Sequence, residues 1–547
     1  MTPVMQAAKE GHREVFDLLV KEGANLSLVD DEDRNILHFA CIGQNVEIVK
    51  YVLTLNIVGI NSRDINGWTP VMNTASDGER GVFNILVDAG ADLSLVNNNK
   101  ETILHVACQG GNVEIVKVII TSNAVYINSR EKGGSIPVMS AARAGHKAVF
   151  DILVEAGADL SLVNNNKETI LHVACQGGNV EIVKVIITSN AVYINSREKG
   201  GSIPVMSAAR AGHKAVFDIL VEAGADLSQV TNKEETIFHM ACVGGNVEII
   251  KCLMTHGIVD IDSRDRKGWT PVMHAVNAGH KEAFDVLVEA GADVPQVGNN
   301  KETILHVSCV GGNVEIIKYL LRHDIVGIDS LDADGWTPVM HAVNAGHKQV
   351  FDLLVEAGAD LSPVTDENES ILHLACGGGN IEIIRYLVKH TIVDIDSRDD
   401  GGFTPVMHAA MDKSKDVFSL LVEGGADLSL LGENNEKILH LACSYDSVEI
   451  VKQLLTQKLV DINSRDGDGC TSAMIAAREG HEAVFNLLVE HEADLTITTD
   501  AGDNILHMAC KGGNVHIVKY VSTRHIVKGL YKEDDPCRLQ SLAPLGN

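Results

Sequence analysis

The sequence predicts an all-α fold, a solenoid of repeated helix–turn–helix units, and three observations support this prediction. A spacing of 67 residues recurs through the 547-residue chain, each 67-residue period divides into two related halves, and each half carries its own helix start and stop signals. In a solenoid each repeat contacts only its neighbours, so a chain of this length does not need several globular domains.

Two motifs define the period. Ile-Leu-His, with one Ile-Phe-His variant, begins at Ile36, Ile103, Ile170, Ile237, Ile304, Ile371, Ile438 and Ile505. Thr-Pro-Val-Met and its variants begin at Thr2, Thr69, Ile136, Ile203, Thr270, Thr337, Thr404 and Thr471. We name the Pro-Val-Met halves A-type repeats and the Ile-Leu-His halves B-type repeats. Their alternation predicts about sixteen repeats of 33–34 residues in residues 1–527, followed by a non-repeat tail in residues 528–547.

Each repeat has signals for two short helices. In an A-type repeat, Thr270 is predicted to cap the first helix and Pro271 to occupy its first turn, where the missing N–H is not needed. Gly279 ends that helix. In a B-type repeat, Asn112 is predicted to cap the second helix, with Glu114 in the first turn favouring the helix dipole.

These motifs together resemble the ankyrin repeat family. Residues 268–280 read Gly-Trp-Thr-Pro-Val-Met-His-Ala-Val-Asn-Ala-Gly-His, and residues 287–293 read Leu-Val-Glu-Ala-Gly-Ala-Asp. The resemblance implies an ankyrin-repeat solenoid with short β-hairpin fingers that binds proteins through its concave face and hairpin tips. A-type repeats depart from the family pattern with Met in place of His, and B-type repeats with Ile in place of Pro.

Charge excludes some partners. The chain has 45 basic and 74 acidic residues, a net charge of −29. Nucleic-acid binding depends on Lys and Arg at phosphates, so the sequence predicts no nucleic-acid partner and favours a basic or apolar protein partner. It has no 18-residue apolar run, so we expect no direct membrane insertion.

The cysteines indicate the compartment. Eight of the eleven share one position in the B-type first helix, and neighbouring copies are too far apart to form disulfides. They are interpreted as small buried apolar residues, and their number predicts a reducing, cytoplasmic location. They are Cys41, Cys108, Cys175, Cys242, Cys309, Cys376, Cys443 and Cys510.

An internal duplication is also visible. Residues 89–161 recur unchanged as residues 156–228, although packing does not require identity at loop positions. A recent duplication explains this identity. It implies an array whose length has been free to vary, as in a scaffold or spacer.

The sequence gives little indication of catalytic or metal-binding residues. The eight histidines of the Ile-Leu-His motif lie at the third position of their helices, where the resemblance implies hydrogen bonding to backbone at the repeat junction. A metal site would instead need several converging ligands. No arrangement of catalytic residues exceeds what repetition produces. The sequence therefore predicts no enzyme activity, no cofactor, no metal and no small-molecule substrate.

The candidate partner-binding residues fall into three sets. Aromatic residues are predicted at exposed hairpin tips, where they would be typical interface anchors: Trp68, Trp269, Trp336 and Phe403. Histidines that follow Met are predicted on the exposed inner face of the first helix: His274, His341 and His408. Residues that vary at one inner-face position complete the set: Arg143, Arg210, Asn277, Asn344 and Arg478.

The predicted function is a non-catalytic scaffold that binds one or more proteins. Two alternatives remain open. The chain could be a structural spacer without a specific ligand, which the near-identical repeats favour. It could also be the regulatory ankyrin region of a larger protein, since the first repeat begins abruptly at Met1.

Overall fold

A computed structural model describes residues 1–255, 257, 260–432 and 434–523 of the chain. The described residues form 32 α-helices in sixteen successive pairs, with isolated β-bridges between pairs. The chain divides into two compact units, Met1–Asp293 and Val294–Asn547, which we name unit 1 and unit 2. The predicted all-α fold of paired helices is confirmed. The predicted tail, residues 528–547, lies outside the described residues.

The described part of unit 1 contains nine helix pairs. The first helices are α1 (Pro3–Lys9), α3 (Ile36–Ile42), α5 (Pro70–Asp77), α7 (Ile103–Gly110), α9 (Pro137–Ala144), α11 (Ile170–Gly177), α13 (Pro204–Arg210), α15 (Ile237–Gly244) and α17 (Pro271–Asn277). The second helices are α2 (Arg13–Lys21), α4 (Val46–Leu55), α6 (Arg80–Asp88), α8 (Val113–Thr121), α10 (Lys147–Glu155), α12 (Val180–Thr188), α14 (Lys214–Glu222), α16 (Val247–Thr255) and α18 (Lys281–Glu289).

In the described part of unit 2 there are seven further pairs. The first helices are α19 (Ile304–Gly311), α21 (Pro338–Asn344), α23 (Ile371–Gly378), α25 (Pro405–Met411), α27 (Ile438–Ser444), α29 (Ser472–Glu479) and α31 (Ile505–Gly512). The second helices are α20 (Val314–Arg322), α22 (Lys348–Glu356), α24 (Ile381–Lys389), α26 (Lys415–Glu423), α28 (Val448–Thr456), α30 (Glu482–Glu490) and α32 (Val515–Thr523).

The predicted helix starts are correct in position, but one cap differs in chemistry. Thr270 precedes α17 in extended conformation and Pro271 begins the helix, as expected. The Thr270 side chain, however, makes no capping hydrogen bond. By contrast, Asn112 Oδ1 accepts the backbone N–H groups of Glu114 and Ile115 at 3.0 and 3.1 Å, so this predicted cap is confirmed.

Asparagine caps also join neighbouring repeats. Asn112 Nδ2 donates to the carbonyl oxygen of Gly78, 34 residues earlier, at 2.8 Å. The turn between α7 and α8 needs glycine because Gly111 has φ +77°, a left-handed conformation. A Cβ at Gly110 would lie 2.4 Å from the carbonyl oxygen of Ala75, so the first helices of these two repeats approach too closely for any side chain there.

The core of each unit lies between the two layers of helices. Within a unit, each first helix packs against the first helix of the next repeat, and each second helix packs similarly but less extensively. Phe residues of the A-type second helices are fully buried between the layers, as Phe284 is in α18. Burial removes these side chains from water, which is the main favourable contribution to folding.

Seven of the eight motif cysteines are buried in this core, as predicted. Cys510 differs because it is exposed. It lies in α31, and the described residues contain no later first helix to cover it. The burial of Cys510 therefore depends on a covering helix and not on its position in the repeat alone.

The fingers between repeats are less regular than the predicted β-hairpins. Seven of them are closed by a single antiparallel bridge, such as Val96 with Thr102. Successive fingers within a unit are joined by backbone hydrogen bonds, for example from Asn98 N–H to the Asn66 carbonyl at 2.9 Å. These bonds hold the fingers in a row beside the first helices, and so determine which finger residues lie near which helix.

Candidate functional site

Two clefts lie between first helices and fingers, one within each unit. The first cleft, in unit 1, has a volume of about 630 Å³ and is lined by Glu168, Gln176, Glu198, Gly200, Ser202, Ser207, Arg210, Ala211, Thr231, Asn232, Lys233, Glu235 and Met240. The second cleft, in unit 2, has a volume of about 380 Å³ and is lined by Asp332, Asp334, Trp336, His341, Asn344, Thr365, Asp366, Glu367 and Glu369.

The two clefts occupy the same place in the repeat, two 67-residue periods apart. Glu198 of the first cleft corresponds to Asp332 of the second, and Ser207 to His341. The framework around them is therefore shared, and only the lining side chains differ. This makes each cleft a natural control for the other.

Four of the predicted binding residues line these clefts. Arg210 lies in the first cleft, and Trp336, His341 and Asn344 lie together in the second. The sequence prediction missed the acidic finger residues that join the last three. They could have been found by aligning finger positions at the 67-residue period: Asp334, Asp366, Glu367 and Glu369.

The four predicted aromatic tips are half-buried, which differs from the expected exposed row. Trp68, Trp269, Trp336 and Phe403 are all partly covered. The reason is visible at Trp336, whose ring centroid lies 5.0 Å from that of His341. Each ring packs back onto its own first helix where a histidine follows Met. A role in partner contact stays a prediction for all four.

The three histidines that follow Met are also less exposed than predicted. His274, His341 and His408 have side-chain exposures of 12%, 22% and 21%. Each ring is held by a carboxylate nine residues earlier: His341 Nε2 lies 2.8 Å from Asp332 Oδ2. The equivalent distances are 3.0 Å to Asp265 and 2.7 Å to Asp399.

These aspartates organise the fingers. Asp332 Oδ1 accepts the backbone N–H groups of Asp334 and Trp336 at 3.0 and 2.8 Å, while Oδ2 contacts His341. The Asp332 side chain is only 4% exposed, so its charge needs these partners. In the equivalent finger, the hydrogen bond from His274 and the backbone N–H groups lower the pKa of Asp265 against the raising effect of burial.

The inner-face residues that vary between repeats are accessible. Arg143, Arg210, Asn277 and Asn344 are exposed at the ends of their helices, and Arg478 is half-exposed. Arg143 lies 3.8 Å from Glu168 of the next finger, and Arg478 contacts the adjacent Glu479 at 2.9 Å. Accessibility is necessary for partner binding, and their binding role stays a prediction.

Seven of the eight motif histidines of the B-type repeats, those from His38 to His440, serve the repeat junction, as predicted. His105 Nδ1 accepts the backbone N–H of Thr102 at 3.2 Å and lies 2.9 Å from the Thr102 hydroxyl. Its Nε2 lies 3.1 Å from the carbonyl oxygen of Ser135 in the next finger. Because one nitrogen accepts and the other donates, the ring is neutral. Burial accordingly lowers the pKa of His105.

Among the residues that the structure describes, two clusters have the composition of a metal site. One joins His373, Asp399 and His408, and the other joins Glu235, Asp265 and His274. In the first, His373 Nδ1 accepts the Ser370 N–H at 3.1 Å and Nε2 lies 3.2 Å from the Phe403 carbonyl. Both nitrogens of His373 are thus engaged with backbone, so this ring could bind a metal only by breaking the repeat junction.

None of the helices in the described part of the chain has the length and apolarity needed to cross a membrane. The predicted absence of nucleic-acid and small-molecule partners has no corresponding structural observation. It stays a prediction from charge and motif content.

Comparison with known proteins identifies the repeats. The family of ankyrin repeats (3 copies) matches residues 4–97, 71–164, 138–231, 205–298, 295–365, 361–431 and 425–499. Ankyrin repeats generally mediate protein–protein interaction.

Several curated proteins are similar to this chain in sequence. The human transient receptor potential cation channel subfamily A member 1 is 26% identical over 91% of this chain and 43% of its own length. The ankyrin repeat and KH domain-containing protein mask-1 of Caenorhabditis elegans is 32% identical over 86% of this chain and 17% of its own length. The NAD-dependent deacetylase sir2B of Dictyostelium discoideum is 23% identical over 63% of this chain and 46% of its own length.

The chain therefore spans less than half the length of each of these relatives. The period, the paired helices and the family match over most of the sequence lead to one conclusion: the chain belongs to the ankyrin repeat family.

Proposed function

We propose that this chain is a non-catalytic protein-binding array that holds partner segments against the first helices and fingers of each unit. One observation carries the proposal: both clefts are formed by first helices and fingers, at equivalent places in the repeat, and their linings differ. A shared framework with variable lining is the arrangement expected of a surface that distinguishes between partners.

Two groups of side chains have different roles, and this difference supports the proposal. Framework groups such as His105 and Asn112 make hydrogen bonds within and between repeats. The variable residues Arg210 and Asn344 are exposed at the cleft edges. Exposed polar side chains beside a concave surface can contact a partner without loss of folded structure.

The absence of catalysis is part of the proposal. A channel and a deacetylase are named among the relatives, and those activities belong to those proteins. The matched segment here is the repeat array, whose histidines contribute hydrogen bonds to the repeat junctions. The seven buried, unpaired thiols are consistent with the reducing cytoplasm that we propose as its location.

The test is selection of a displayed library of random peptides on the full chain, followed by photo-crosslinking of the enriched peptides. We expect crosslinks in first helices and fingers of either unit. The substitutions Arg210→Glu and Asn344→Lys change the cleft edges and should weaken the peptides that crosslink nearby.

Glu356→Lys is the matched control, because Glu356 is exposed at the end of second helix α22 in the same unit as Asn344. It should leave binding unchanged. Crosslinks confined to second helices would contradict the proposed surface. Failure to enrich any peptide would contradict the binding function and favour a spacer.

A further inference from the structure

We propose that the second cleft binds an arginine or lysine side chain of a partner segment, with the cation placed between the Trp336 ring and the finger carboxylates. This inference rests on the proposed protein-binding function and names the chemistry of the partner at one site. Three independent observations support it: the charge of the lining, the state of the tryptophan, and the contrast with the first cleft.

The lining of the second cleft is rich in acidic residues. Five carboxylates surround it, and neither lysine nor arginine is among its lining residues. Asp332 already has partners in His341 and the finger backbone. The other four lie on the finger edges around the cavity: Asp334, Asp366, Glu367 and Glu369.

One of these carboxylates is destabilised in its charged form. Burial raises the pKa of Glu369, and the neighbouring charges of Glu367 and Asp399 raise it further, against the lowering effect of His408. A cation entering the cleft would relieve this repulsion. The cavity thus offers favourable electrostatics to a positive group and unfavourable electrostatics to a negative one.

The tryptophan of the second cleft lacks the neighbouring lysine that its counterpart in unit 1 has. In unit 1, Lys267 Nζ lies 5.4 Å from the centroid of the Trp269 ring, a distance typical of a cation–π interaction. The residue equivalent to Lys267 in unit 2 is Asp334. Among the described residues, no cation lies over Trp336. The Trp336 ring therefore lines the cleft with an aspartate beside it in place of the lysine, so a partner would supply the cation.

The first cleft shows what the same geometry is like when the chain supplies its own cations. Arg210 stands where the second cleft has Asn344, and Lys233 stands where it has Glu367. Ser202 replaces Trp336. The first cleft has three carboxylates beside these two cations, whereas the second has five carboxylates and neither lysine nor arginine. The first cleft should therefore attract a basic side chain less strongly, so a cationic probe should discriminate between the two sites.

The experiment uses the full chain and a fluorescein-labelled peptide of repeated Gly-Ser-Arg units, with binding followed by fluorescence anisotropy. The variant Asp334→Asn with Glu367→Gln removes two exposed cleft charges. The control variant Glu356→Gln with Glu423→Gln removes two exposed charges from second helices of the same unit.

We expect the cleft variant to weaken binding by about tenfold, and the control by less than about twofold. A citrulline version of the peptide, which keeps the shape and loses the charge, should not bind. Equal weakening by both variants would overturn the inference, because binding would then reflect overall acidity. Equal binding of the citrulline peptide would overturn it as well.

A second pair of outcomes separates this inference from the proposed function. If the library selection enriches peptides while the Gly-Ser-Arg probe does not bind, the cation site is wrong and the binding array stands. If the selection also fails, the function itself is wrong. Trp336→Leu provides an independent check, since it should weaken the probe without changing any charge.

Discussion

The first helices of A-type and B-type repeats occupy equivalent places but are joined to their surroundings by different chemistry. In the B-type helix α19, the Thr303 hydroxyl lies 2.8 Å from His306 Nδ1, and His306 Nε2 lies 3.1 Å from the carbonyl oxygen of Trp336. In the A-type helix α25, the Thr404 hydroxyl is buried and has no hydrogen-bond partner among the described residues.

Methionine causes the difference. The histidine of the B-type helix is replaced by Met407 in α25, which is buried and fills the space without offering a strong acceptor. Where no histidine is present, the threonine itself can be lost, and Ile136 and Ile203 take its place. B-type helices are therefore bonded to the next finger through a ring. In A-type helices the position of that ring is filled by an apolar methionine side chain.

The largest effect of this contrast is expected in the dependence of folding stability on pH. Burial lowers the pKa of His239 and of His373 to about 4, from an ordinary value of 6.5. The unfolded chain binds protons below about pH 6.5 and the folded chain does not, so stability is lost as pH falls from about 6.5 to about 4. Protonation of each of these two rings lowers the free energy of unfolding by up to about 3 kcal/mol across this window, and the other buried B-type rings add to the loss.

The measurement is the urea midpoint of the full chain at a series of pH values. We expect a steep fall across that window, and a shallower one in the variant His239→Leu with His373→Leu, compared with the slope of the wild type. A wild-type midpoint that stays constant between pH 6.5 and pH 4 would contradict the neutral assignment of the rings.

A smaller effect is expected from breaking one junction at neutral pH. His172→Leu leaves the Thr169 hydroxyl and the Ser202 carbonyl without the bonds that His172 makes at 2.9 and 3.2 Å. Stranding buried polar groups should reduce the local stability of α11 by about 3 kcal/mol. Hydrogen exchange of that helix measures the loss.

The equivalent change in an A-type helix is the control for that variant. Met206→Leu in α13 keeps the volume of a buried apolar side chain and should reduce stability by less than about 1.5 kcal/mol. If Met206→Leu proved as damaging as His172→Leu, the distinction between polar and apolar junctions would be lost.

The smallest effect on stability is expected from removing the threonine hydroxyl that precedes a first helix. Its sign should be opposite in A-type and B-type helices. Thr404→Val removes a buried hydroxyl without a partner and should raise stability by about 1 kcal/mol. Thr303→Val removes a hydroxyl that bonds His306 and should lower stability by about 1 kcal/mol. Both helices lie in unit 2, so urea midpoints of the two variants are directly comparable, and equal signs would refute the assignment.

The repeated framework was predictable because it depends on short-range signals. The 67-residue period and Asn112 as a cap follow from local rules and are found in the structure. The role of the motif histidines at the junction followed from the family resemblance. The missing bond of Thr270 was not foreseen, because it depends on the residue that replaces histidine one helical turn later.

The candidate site was only partly predictable because it depends on contacts between repeats. His341 and Asp332 are nine residues apart and meet only when the finger folds back onto the helix. The second cleft adds Asp366 and Glu367 from the next finger, whose register is established by backbone bonds between fingers, such as that from Asp366 to Asp334. A prediction of exposure from position in a helix alone could not take account of the fingers that cover these residues.

The buried thiols of the B-type helices can report on local opening of the repeats. A thiol reacts with an alkylating reagent as the thiolate, and burial both shields Cys108 and raises its pKa, as it does for Cys175 and Cys242. Labelling at each site should therefore require that its own repeat opens first. A mass map of labelled peptides over time would read out opening rates at intervals of 67 residues, without any engineered probe.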